Sequence, residues 1–196
     1  EVQTWACLWD PKNKGKILMK DHYWDVYNVA SIWGNYPDIA TGKRTRYDVS
    51  NDHTHADIAR VEEMLIALKP NLAGWEADFG KELMTKGEIW MNYAWSGDAV
   101  WAIEEAADVG VSLDYVVPRE GSNIWFDGWV IPKYARNVKA ASYFLNYLCQ
   151  PDIALRNMDI SGYTSALGTP EILEAQKDSS ITETVNLNYF FGPGND

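Results

Sequence analysis

The sequence predicts an α/β fold with a mostly parallel sheet flanked by helices, and three observations predict it. Short apolar runs recur along the chain, helical segments of about ten residues separate them, and prolines and glycines punctuate the joins. Lys14-Gly15-Lys16 is a turn that leads into a short buried strand at Ile17-Leu18-Met19. Asp21 precedes a helix running to about Trp33, which Gly34-Asn35-Tyr36-Pro37 stops. Residues 38–54 are polar and aperiodic and read as a surface loop. Ile58, Val61, Leu65 and Leu68 have helical spacing, so Asp57 to Leu68 is a helix, ended by Pro70.

Strands and helices then alternate. Leu72–Trp75 is a strand, Glu76–Thr85 a helix, Ile89–Ala94 a strand, Gly97–Ala107 a helix and Leu113–Val117 a strand closed by Pro118. Ile124–Ile131 is a further strand closed by Pro132. Asn137–Leu148 is strongly amphipathic, with Ala140, Ala141, Phe144, Leu145 and Leu148 on one side. Gln150-Pro151-Asp152 starts another helix to about Met158, proline being suited to a first turn. Ser161 to Ser165 is a loop, Thr169-Pro170-Glu171 opens a short helix, and 186–196 is turn-rich.

Composition narrows the partners. The formal net charge is -11 over 196 residues, which makes nucleic acid and anionic membrane poor partners and favours cationic ligands. No apolar run approaches the ~20 residues that span a bilayer. The chain has 10 Trp and 11 Tyr, and an indole N–H needs a partner when buried, so an aromatic-lined cleft is expected. The chain opens on Glu1-Val2-Gln3 with no initiator methionine or leader, and reads as a mature or truncated piece whose targeting segment is missing. Cys7 and Cys149 form no metal motif, and pairing and free thiols both remain open.

No catalytic motif is present. His53-Thr54-His55 has i, i+2 spacing without an adjacent carboxylate motif, so neither a metal nor another cofactor is expected. A different constellation carries chemistry. Trp95 follows the Ile89–Ala94 strand, at the strand end outside which open α/β sheets bind ligands. Trp125 and Asp127, two apart on the next predicted strand, share one face. A carboxylate beside an indole suits an ammonium ion, through charge-assisted hydrogen bonds and cation–π attraction. Asp25, in the helix after the first strand, brings a second carboxylate, and two separated carboxylates suit an amine charged at both ends.

Four segments carry a family resemblance, in order, over roughly residues 4–170. They are Thr4 to Lys16, Gly87 to Ala99, Val116 to Gly121 followed by Ile124 to Asp127, and Ala140 to Ala154 followed by Ser161 to Ser165. Together they resemble the spermidine/putrescine-binding proteins of ABC importers. The resemblance implies a type II periplasmic-binding-protein fold, a periplasmic or extracytoplasmic location with or without a membrane tether, and a membrane permease as partner. It places Trp95, Trp125, Asp127 and Tyr163 on ligand-site positions, and Asp25 where the family has a Glu that contacts an amine. His22 stands where the family commonly has a ligand-binding Asp, which removes a carboxylate; Asp21 compensates only if the helix start shifts.

The resemblance also implies a domain plan. Residues 1–125 are most of lobe two, 126–170 are a crossover and helices that pack on lobe one, and 171–196 return toward lobe two. Lobe one would come mainly from residues preceding this chain. The 137–148 helix is then expected to expose its apolar face or to bury it in a crystal or swapped dimer. Two rival readings stay open: the same fold taking a sugar, thiamine or ferric ion, and a carbohydrate-active enzyme with paired carboxyls.

Overall fold

The computed structural model describes residues 3–125 and 127–178. The chain divides into two units, one of Glu1–Trp95 with Ala102–Ile124, the other of Ser96–Trp101 with Trp125–Asp196. In chain order the helices and strands are α1 (Ala6–Trp9), β1 (Ile17–Lys20), α2 (Tyr23–Gly34), α3 (Tyr36–Ala40), α4 (Arg46–Ser50), α5 (His55–Leu68), β2 (Leu72–Glu76), α6 (Gly80–Thr85), β3 (Met91–Asn92), α7 (Ser96–Asp108), α8 (Val138–Leu148), α9 (Pro151–Ser161) and α10 (Pro170–Asp178).

The first unit is built on a parallel sheet in the order β2-β1-β3. Its central strand explains its own sequence. Ile17, Leu18 and Met19 are all buried, as expected of a parallel strand covered on both faces, which reads as a continuous apolar run. Around it Trp5, Leu8, Val26, Val29 and Leu68 close the core, so α1, α2 and α5 each bury one side against the sheet. Gly15 at φ 72 supplies the turn into β1, and its N–H bonds the Asn71 carbonyl at 2.8 Å just before β2. The parallel sheet with flanking helices agrees with the fold class read from the sequence.

Several predicted elements differ. The strand expected at 89–94 shortens to Met91–Asn92, although the Tyr93 N–H still reaches the Leu18 carbonyl at 3.0 Å. Residues 113–117 form no strand, and neither do the described residues of 124–131, so Trp125 and Asp127 do not alternate on a pleat. A strand is defined by its partner, and no described residue of either apolar run is in a strand. Glu76 ends β2 rather than opening a helix, and α6 begins only at Gly80. Residues 38–54 are no simple loop. They include most of α3, with Pro37 in its first turn, and all of α4, opened by a Thr45/Asp48 capping box.

Backbone and hydroxyl donors hold three carboxylates of this unit below their ordinary range. The Lys12 N–H does so for Asp10, the Thr45 hydroxyl for Asp48 and the Thr54 N–H for Asp52. A depressed folded pKa stabilises above the unfolded value and stops doing so as pH falls through the folded one. The urea midpoint should therefore decline as pH drops from about 5 to about 3. Asp48→Asn should flatten part of that decline; an unchanged slope would refute the assignment.

In the second unit α9 ends on Gly162 at φ 72, whose N–H bonds the Met158 carbonyl at 2.8 Å, a left-handed helix stop. Among the described residues, its buried apolar side chains are Val100, Ala154 and Ile172. On α8 no residue is buried, and Tyr143, Phe144 and Tyr147 are exposed. Residues 179–196, including the turn-rich tail, lie outside the described residues.

Candidate functional site

The C-terminal edge of the sheet gathers a polar cluster onto one indole. Trp95 lies three residues beyond β3, where it is the N-terminal flank of α7. Asp25 sits in the first turn of α2, where the positive end of the helix favours a carboxylate. It is buried at 5% exposure, and its oxygens are occupied by protein donors. Oδ2 accepts the Trp95 Nε1–H at 2.9 Å and lies 3.1 Å from His22 Nδ1. Oδ1 accepts from Asn123 Nδ2 at 2.9 Å. The Asn123 side-chain oxygen Oδ1 accepts in turn from the Tyr93 hydroxyl at 2.8 Å and the Ser122 hydroxyl at 3.2 Å. Burial, and next the Asp25 charge, push the Tyr93 phenol upward, so it stays a neutral donor.

Behind the indole lies an ion pair. Lys20, the last residue of β1, is 1% exposed, and Glu76, the last residue of β2, is 2% exposed. Lys20 Nζ donates to Glu76 Oε1 at 2.9 Å and to the Ala77 carbonyl at 2.7 Å, and it stands 4.2 Å from the Trp95 ring centroid. The other Glu76 oxygen accepts the Gly80 N–H at 3.0 Å, at the start of α6. Parallel strands ending at one level bring these residues together, since their last side chains meet beyond the sheet.

The predicted site residues divide between the two units. Asp25, His22 and Trp95 meet in the first. Asp21 lies next to them in sequence, but its exposed residue stands outside α2, which starts at Tyr23 with His22 flanking it. In the second unit Trp125 is 40% exposed, Asp127 is exposed, and the half-buried Tyr163 ring packs on Gly97. Sequence reasoning missed Lys20, Glu76, Asn123 and Tyr93. A lysine closing an apolar strand was a signal for Lys20; Asn123 had none.

Among the described residues no cluster of His, Cys, Asp and Glu suits a metal ion. His53, expected in a solvated loop, packs on the Trp24 and Tyr27 rings at 5.1 and 5.5 Å. Cys7 and Cys149 are free thiols. No helix among the described residues is long and apolar enough to cross a membrane.

A parallel sheet with flanking helices, carrying aromatic and polar groups at the C-terminal ends of its strands, defines a periplasmic-binding-protein-like fold. The chain belongs to the bacterial extracellular solute-binding protein family, whose model matches residues 1–183. It is 29% identical over 162 residues to the spermidine/putrescine-binding periplasmic protein of Escherichia coli K12, covering 83% of this chain and 42% of that protein. It is 30% identical over 172 residues to the putrescine-binding periplasmic protein PotF of the same organism, covering 84% of this chain and 44% of that protein. Among solved structures, the spermidine/putrescine ABC transporter substrate-binding protein PotD of Streptococcus pneumoniae matches 98% of this chain and 53% of its own, with a TM-score of 0.70 and 26% identity. The chain thus spans a little under half the length of these curated relatives. The family and these relatives are solute-binding transport proteins, not enzymes.

Proposed function

We propose that this chain is part of the substrate-binding component of an ABC importer and captures polyamines of the putrescine and spermidine class in an inter-lobe cleft. The observation that supports the reading is the aromatic and polar cluster of Trp95, Asp25, Asn123 and Tyr93 at the C-terminal edge of the sheet, where open α/β sheets take their ligands. The net charge of -11 and the names of the relatives support a cationic solute. In this reading Trp95, Trp125 and Tyr163 provide aromatic walls for the methylenes, and Asp127 anchors an ammonium. Residues 1–125 serve as most of lobe two, 126–170 pack on lobe one, and 171–196 return to lobe two. The protein works outside the cytoplasm and hands its solute to a membrane permease.

Calorimetry on the intact protein tests this. Putrescine or spermidine binding should be measurable, and Asp127→Asn should weaken it by about 10- to 100-fold, the value of a charge-assisted hydrogen bond. An Asp127→Asn variant of unaltered affinity would favour a neutral ligand such as a sugar, and undetectable binding of either amine would end the polyamine assignment.

A further inference from the structure

His22 stands at the rim of the polar cluster, beyond the end of β1 and at the flank of α2, where its side chain makes no cap hydrogen bond. Its ring lies edge-on to Trp95 with 6.4 Å between centroids, and the side chain is 46% exposed. Nδ1 lies 3.1 Å from Asp25 Oδ2, an oxygen that also accepts the Trp95 N–H at 2.9 Å. An ionised carboxylate has no hydrogen to give, so a neutral His22 carries its proton on Nδ1 and a bare lone pair on Nε2. Among the described residues Nε2 has no hydrogen-bond partner.

The two protonation states of the ring treat a cation oppositely. Neutral His22 accepts an N–H at Nε2, and an ammonium offers three. The protonated ring has donors at both nitrogens and a positive charge, so an ammonium meets a like charge and no acceptor. A neutral hydroxyl-bearing solute is indifferent, since a hydroxyl donates to the first form and accepts from the second. The groups facing the ring are the Asp25 carboxylate, the neighbouring exposed Asp21, the Tyr23 ring at 5.5 Å and, across Trp95, Lys20 paired with Glu76 at 2.9 Å. Carboxylates, phenols and aliphatic ammonium groups ordinarily keep their charge between about pH 5.5 and 8, whereas imidazole changes its own in that span.

Resting on the polyamine reading above, we propose that His22 is a specificity-determining residue that makes amine capture proton-competitive. A ligand ammonium and a proton compete for Nε2, so the protein holds cationic amines at about pH 8 and loses them on acidification. Where part of the imidazole is protonated, binding of the amine drives the Nε2 proton off to the buffer, and by linkage the proton drives off the amine.

The test is calorimetry of putrescine on the intact protein. Wild-type affinity should fall about tenfold from about pH 8 to about pH 5.5, the effect of one competing imidazole proton over that span. At an intermediate pH, titrations in two buffers of different ionisation enthalpy should show release of a fraction of a proton per putrescine bound. His22→Gln keeps a side-chain acceptor and cannot titrate; its affinity should change less than about twofold over the same span, with no proton released. His53 and His55 remain in that variant, so any pH dependence of theirs would persist. His22→Asp is a second variant, for which a fixed carboxylate should tighten putrescine by about tenfold at about pH 8, again without proton release. Proton release that survives in both variants overturns the proposal, as does a wild-type affinity independent of pH, and in either case putrescine binding at about pH 8 leaves the polyamine reading intact. Failure of putrescine and spermidine to bind wild type at about pH 8 overturns the polyamine reading and this proposal together.

Discussion

Lys20→Met alone should destabilise the first unit by about 3–5 kcal/mol, the penalty for stranding one member of a buried ion pair. The lysine and Glu76 are 1% and 2% exposed, so water does not reach the carboxylate that the variant leaves behind. Glu76 would keep the Gly80 N–H at 3.0 Å but lose its countercharge, and the Ala77 carbonyl would lose its 2.7 Å donor. The rescue is the informative part. Adding Glu76→Gln removes the stranded charge while keeping an amide oxygen for Gly80, and the double variant should return to within about 1–2 kcal/mol of wild type. Urea denaturation followed by circular dichroism reads both values. A loss below about 1 kcal/mol for Lys20→Met would mean that solvent reaches the pair.

The same residues show what the sequence could and could not tell. β1 was legible because a central parallel strand needs apolar residues on both faces, and Ile17, Leu18 and Met19 supply them. The helix α5 was legible because fourteen residues give the 3.6-residue period room to repeat, from His55 to Leu68 (14 residues). The helices α3 and α4, of 5 residues each, are too short to show a period, and only their first turns announce them. The runs at 113–117 and 124–131 have strand-like composition, yet pairing is a property of two segments and one of them cannot announce it.

The candidate site was legible residue by residue and not as a network. Trp95 and Asp25 stand out because an aromatic at a strand end and an acid in a first helical turn each have a physical reason to be there. Their 2.9 Å bond, which spends the carboxylate on the protein itself, joins residues 70 positions apart and depends on the chain between them folding back. Both Asp25 oxygens are thereby engaged within the protein, one by the Trp95 indole N–H and the other by the Asn123 amide. The Lys20 ammonium over the indole has the same origin, since Glu76, 56 residues away, determines where it points.

In the second unit Gly162→Ala should cost about 2–5 kcal/mol, combining a left-handed backbone with an overpacked contact. Gly162 sits at φ 72, and an added Cβ would lie 2.8 Å from the Gly97 carbonyl oxygen and 3.1 Å from Val100 Cβ. The first of these is backbone and cannot swing aside. Gly97 is the reciprocal case, and there two effects compete. Alanine in a helix normally gains about 0.5–1 kcal/mol over glycine. At this position its Cβ would lie 2.3 to 2.7 Å from three ring atoms of Tyr163, so the ring must leave its place and overpacking of about 1–3 kcal/mol wins. The sign depends on the tyrosine, which makes the pair separable. In a Tyr163→Ala background Gly97→Ala should become neutral or stabilising, a coupling that thermal melts of the four proteins in the cycle would measure. Equal losses in both backgrounds would show that the helix start, and not the ring, sets the requirement for glycine. Because Tyr163 is also a proposed wall of the amine site, Gly97→Ala should weaken polyamine binding beyond its effect on stability.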